Sequence, residues 1–115
     1  MASSAALAAP PSAKKDQSVI VHFTYGTTDL TPLFALEDRL EAAITANKSG
    51  EFDGDEVAVG GADGFLYMYG PDADRLLATI LPILEAVPFM KGAKATKRYG
   101  PPDPGVRTVV HVINQ

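Results

Sequence analysis

Apolar and polar residues alternate at period two from position 19 onward. Val19, Val21, Phe23 and Tyr25 fall on one side of this stretch, and Ile20, His22 and Thr24 on the other. β-Branched and aromatic residues in that pattern predict a strand, which Gly26 ends. The period then changes. Leu33, Leu36, Leu40, Ala43 and Ile44 recur at helical spacing, with Thr31 as the expected cap and Pro32 in the first turn. The helix should end near Lys48, ahead of Ser49-Gly50. Acid-rich 51–56 looks like a turn, and 57–59 like a short strand. After a glycine-rich turn at 60–64, Phe65-Leu66-Tyr67-Met68-Tyr69 is the strongest strand signal in the chain, closing a hairpin.

Asp72 should cap a second helix, with Leu76, Leu77, Ile80, Leu81, Leu84 and Val87 as its apolar stripe. Pro82 lies inside that stripe, where it removes one helix hydrogen bond and predicts a kink; Pro88 should end the helix. Two further strands, 93–99 and 106–113, flank a proline-rich loop and predict a second hairpin. Strand, helix, hairpin, helix, hairpin is the order of an α+β, ferredoxin-like βαββαβ sandwich with an extra C-terminal edge strand. Two helices should cover one face of an antiparallel sheet. The expected organisation is a single domain over 18–115, behind a disordered tail or leader at 1–17.

The 115 residues include no cysteine, which excludes disulfides, thiolate metal sites and cysteine nucleophiles. No apolar run approaches the roughly 20 residues that span a bilayer. Lys14 and Lys15 follow the short apolar stretch at 5–9, the reverse of a signal peptide. A cytoplasmic protein with no membrane partner is the expectation.

Charge changes the picture more than composition does. The net charge is −4, yet three bases stand against twelve acids between Ser18 and Met90, and five bases against one acid between Lys91 and Arg107. An acidic body carries a basic C-terminal hairpin, and such local fields attract partners. With Gly100 and Gly105 facing each other, Arg98 opposes Arg107, Thr96 opposes Val109, and Lys94 opposes His111. Ala95, Tyr99, Val110 and Val112 then share the other face. In that register Lys94, Arg98, Arg107 and His111 form one basic surface, which suits an acidic visitor; ordinary solvated edge charges are the plainer reading.

Phe65, Tyr67 and Tyr69 share one face of their strand. Gly64-Phe65-x-Tyr67-x-Tyr69 resembles part of the RNA-recognition motif, which stacks bases on aromatics of this same fold. Asp63 stands where that motif wants a base, and the acidic body repels phosphate. Core or dimer contacts are the alternative for these rings, and a homodimer through the sheet is one form of it.

Catalytic and metal chemistry find little support. His22 and His111 belong to no motif. Asp53, Asp55 and Glu56 lack the spacing of a calcium loop, and the glycine-rich turn lacks the lysine and helix of a phosphate cradle. Glu37 and Glu41 look like an ordinary exposed helical pair. No catalytic residue, metal ligand or cofactor site is assigned.

From Leu36 to Gly100 the chain resembles a group of small bacterial proteins. The shared features are Leu36-Glu37-Asp38-Arg39-Leu40-Glu41, Phe52-Asp53-Gly54, Arg98-Tyr99-Gly100-Pro101 and, most distinctively, Tyr69-Gly70-Pro71-Asp72-Ala73-Asp74. The resemblance implies a compact bacterial domain and carries no activity with it. The sequence therefore points to a small non-enzymatic binding domain that recognises a protein, immunity-like or regulatory. Its candidate contacts are Lys94, Arg98, Arg107, His111, Phe65, Tyr67 and Tyr69. Single-stranded nucleic-acid binding through 65–69 is the alternative.

Overall fold

The computed structural model describes residues 16–114. Strand β1 (Gln17–Thr24) leads to helix α1 (Thr31–Asn47) and the hairpin of β2 (Glu51–Val57) and β3 (Asp63–Gly70). Helix α2 (Ala73–Glu85), a 3-10 turn (Pro88–Met90) and the hairpin of β4 (Lys94–Arg98) and β5 (Thr108–Val112) follow. The strands form one antiparallel sheet in the order β2-β3-β1-β4-β5. This is the ferredoxin-like arrangement with one strand added beside β4. The tail or leader expected at 1–17 lies outside the described residues up to position 15. Gln17 already belongs to β1, opposite Gly70.

Strand parity divides the sheet. Val19, Val21 and Phe23 of β1, Leu66 and Met68 of β3, and Ala95 of β4 are buried against the helices. They meet Leu33, Leu36, Leu40 and Ile44 of α1 and Leu76, Leu77, Ile80 and Leu84 of α2. Period two on the strands and period 3.6 on the helices thus converge on one core. Gly64 belongs to the same layer: a Cβ there would lie 2.9 Å from the Phe23 ring.

Three local expectations change. Residues 51–56 are strand, not turn. Pairing with β3 supplies the ladder that their low strand propensity does not. The register shifts between Phe52 and Gly54, a bulge that, with the acidic side chains, suits an edge strand. Thr31 lies inside α1 rather than capping it; the Asp29 carboxylate accepts the Thr31 N–H at 3.0 Å instead. Helix α2 carries Pro82 inside it and ends at Glu85, before the stop expected at Pro88.

The register of the second hairpin also differs. Arg98 pairs with Thr108, Thr96 with Val110, and Lys94 with Val112. The loop closes where the Tyr99 N–H donates to the Arg107 carbonyl at 3.0 Å. Gly105, at φ 86°, adds one residue on the β5 side, so Val106 rather than Gly105 packs against Gly100. A one-residue slip turns every β5 side chain over. Lys94 and Arg98 therefore do not share a face with His111, which sides with Ala95 toward the helices. The basic surface expected from Lys94, Arg98, Arg107 and His111 does not form as a unit.

The segment Tyr69-Gly70-Pro71-Asp72-Ala73-Asp74 is a structural junction. Gly70 passes so close to α1's exit that a Cβ would lie 2.3 Å from the Ser49 carbonyl oxygen. Asp72 caps α2, its Oδ1 accepting the N–H groups of Asp74 at 3.0 Å and Arg75 at 3.2 Å. The Ala73 N–H donates to Gln17 Oε1 at 2.8 Å, and Arg75 Nη2 donates to the Asn47 carbonyl, satisfying the end of α1. Asp72→Ala should cost about 1 kcal/mol. Gly70→Ala should cost more, about 1–3 kcal/mol, because backbone must move. Urea unfolding midpoints at unchanged slope check both values and their order.

Candidate functional site

The two helices cover one face of the sheet and leave the other open. Parity sends β3's Phe65, Tyr67 and Tyr69 to that open face, where all three are half-buried. Three rows of side chains cross it. In the first, Glu51, Tyr69, Ser18, Arg98 and Thr108 follow one another from β2 to β5. In the second, Gly54, Tyr67, Ile20, Thr96 and Val110 do so; in the third, Glu56, Phe65, His22, Lys94 and Val112. The middle of the surface is aromatic and aliphatic, and Val110 is 54% exposed on it. Its β2 margin is acidic and its β4 column basic.

The rings form a row. His22 and Phe65 stack with centroids 4.4 Å apart and planes within 10°. Tyr67 continues the row, 6.2 Å from Phe65 and tilted by 19°. At 4.4 Å one π face of Phe65 is already covered. The polar tips are tethered too. His22 Nε2 lies 2.8 Å from Asp63 Oδ2, and the Tyr67 hydroxyl donates to Glu56. That hydrogen bond pushes the Tyr67 phenol up to about 12, so it stays neutral at physiological pH. Ser18, between Tyr69 and Arg98, is buried, and its Oγ has no hydrogen-bond partner among the described residues.

Three bases of the last hairpin make contacts within the protein itself. Lys97 Nζ pairs with Asp74 Oδ1 at 2.8 Å, and the Tyr99 hydroxyl donates to the same oxygen. These contacts lower the Asp74 carboxyl and raise the Lys97 amine, each favouring its charged form. The Arg107 guanidinium lies 4.5 Å above the Tyr99 ring, a cation–π contact. Arg98 Nε donates to the Gly100 carbonyl at 2.8 Å. Part of the basic hairpin is thus docked on the acidic body. Of the seven candidate contact residues, the structure brings together Phe65, Tyr67, Tyr69, Lys94 and Arg98. Arg107 and His111 stand apart from them.

Sequence reasoning missed two features. Ile20, His22, Thr96, Val110 and Val112 complete the open face, a grouping visible only once the strand order is known. Glu37 of α1 is not an ordinary exposed acid. It is half-buried beside Asp55 of β2, and its Oε2 finds no hydrogen-bond partner among the described residues. Burial first, then the Asp55 carboxylate, raises its carboxyl from 4.5 to about 8.

Concavities are small or open. One of about 230 Å³ lies beside His22, Thr24, Lys91 and Lys94, below the usual 300–1,000 Å³ of a small-molecule site. A larger one, about 460 Å³, is edged by Lys48, Gly50, Glu51 and Pro71. Neither includes Glu37 or Asp55. No group of three or more His, Asp or Glu side chains among the described residues could hold a metal ion. No helix among them is long and apolar enough to cross a membrane.

The raised Glu37 carboxyl predicts a pH dependence. The folded state holds this proton more tightly than the unfolded chain. Its contribution is fully present below pH 4.5 and is lost as pH rises toward about 8. Glu37→Gln should flatten that slope and exceed the wild type in melting temperature at pH 9. Parallel melting curves from pH 4 to 9 would refute the assignment. Comparison with family models, curated proteins and solved structures finds no match to this chain, so geometry alone carries the functional reading.

Proposed function

We propose that this chain is a non-enzymatic protein-recognition domain whose contact surface is the open face of its sheet. One observation carries the reading: an aromatic and aliphatic strip, Phe65, Tyr67, Tyr69 and Ile20, lies between an acidic margin and a basic column, with Val110 exposed beyond that column, and the described residues leave this face uncovered. Aromatic anchors within a polar rim are the usual anatomy of a protein interface. Contiguous apolar patches of this kind mark contact sites.

Exposure of the aromatics on the sheet also favours single-stranded nucleic acid, the second reading. The arrangement of the rings argues against it. Base stacking needs free π faces, and His22 covers one face of Phe65. Asp63, Glu56 and Glu51 border the rings where phosphates would run, and Asp63 is engaged with His22. Lys94 and Arg98 alone supply little counterion release.

Affinity capture with the wild-type chain and with Tyr67→Ser/Tyr69→Ser tests the reading. The wild type should retain a protein, either another chain or a copy of itself, after nuclease treatment. The double variant should lose about tenfold or more in affinity while keeping its circular dichroism spectrum. Salt-dependent binding of mixed single-stranded oligonucleotides, abolished by the same variant, would overturn it.

A further inference from the structure

The open face is charge-split across its strands, and a split surface can complement a copy of itself. Bringing two such faces together by a two-fold rotation requires the axis to lie in the plane between them. Two orientations are simplest. An axis across the strands sets β2 on β2 and β4 on β4. Acid then meets acid, Glu51 over Glu56, and base meets base, Lys94 over Arg98. An axis along β1 does the opposite. Because β1 is the middle strand of five, rotation about it lays β3 over β4 and β2 over β5.

We propose that the occupant of the open face is a second copy of this chain, related by a two-fold axis along β1. The proposal rests on the protein-contact reading of this face and names its partner. Rows then meet their own equivalents. Tyr69 lies over the other copy's Arg98, Tyr67 over its Thr96, and Phe65 over its Lys94. Ser18, Ile20 and His22 fall on the axis and face themselves. Glu51 and Glu56 lie over Thr108 and Val112 at the margin, beside the opposing basic column. The aromatic column thus meets a column carrying two cations and a methyl, and only this axis sets each copy's acidic margin beside the other's basic column. Both sheets keep aligned strands, the usual geometry for two stacked sheets. Two strands of eight residues, one of seven and two of five, at 3.3 Å per residue and 4.8 Å between strands, give a footprint of about 500 Å². Accessible area exceeds a flat footprint, so the face is of the order of the roughly 800 Å² per partner of a standard interface.

Sedimentation equilibrium of the full chain tests this, from low micromolar to several hundred micromolar, at low and high salt. A reversible monomer–dimer equilibrium, weakened by salt, is expected. Glu56→Lys and Lys94→Glu should each raise the dimer Kd by about tenfold or more, since each sets like charges together. The combined Glu56→Lys/Lys94→Glu chain should return to within about threefold of the wild type. That recovery distinguishes an interface charge effect from simple damage to the fold. A dimer strengthened by Glu56→Lys alone overturns the axis. A dimer indifferent to both changes, as β5 edge-to-edge pairing would be, overturns the use of the face. A monomer at every concentration overturns self-association. In that case nuclease-resistant capture of a different protein, lost in Tyr67→Ser/Tyr69→Ser, leaves the protein-contact reading standing, and its absence removes that reading as well.

Discussion

The structure depends on one constraint: β1 is hydrogen-bonded on both edges and has helices on only one face. Its eight residues pair with β3 along their whole length and with β4 over five positions. Val19, Val21 and Phe23 must therefore point to the helices, and Ser18, Ile20 and His22 must point away. Every neighbouring strand inherits this parity through the ladder. The helix-facing set makes the core. The other set places three aromatics and several aliphatics on a face that the described residues leave uncovered, and the functional reading follows from that face.

Polar contacts assign the charged residues to different tasks. Asp72 caps α2, while Asp74 and Arg75 tie that helix to β4, the Tyr99 region and the end of α1. They hold elements together and are not available for recognition. Glu56 and Asp63 hydrogen-bond Tyr67 and His22, satisfying the polar tips of the ring row. Lys94 and Arg98, in contrast, form a column parallel to the aromatic one. The charge asymmetry of the chain is thus two features. One is internal docking of the last hairpin; the other is a surface with opposite signs on its two sides.

Much of the fold was legible in the sequence because strand and helix periods alternate cleanly. Val19 to Tyr25, Phe65 to Tyr69 and the stripe from Leu76 to Leu84 each report their own burial. Strand β2 was not legible, since Glu51, Asp53, Asp55 and Glu56 carry no apolar alternation and gain their ladder only from β3. The hairpin register was not legible either. Gly105 and Val106 decide it by one residue, and that residue separates His111 from Lys94 and Arg98. The aromatic strip could be read from β3 alone, but not the columns beyond it, because only the strand order sets Ile20 beside Tyr67 and Thr96 beside Ile20. Glu37 looked like a surface acid because its neighbour Asp55 is eighteen positions away in sequence.

The most direct test of a self-complementary face is isotope-filtered NOE spectroscopy on an equimolar mixture of labelled and unlabelled chains. Contacts between copies are expected from Ile20 methyls to Ile20 and from the Tyr69 ring to the Arg98 side chain. Contacts between copies confined to β5 edges or to the outer surface of α1, with none from Ile20 or Tyr69, would contradict it.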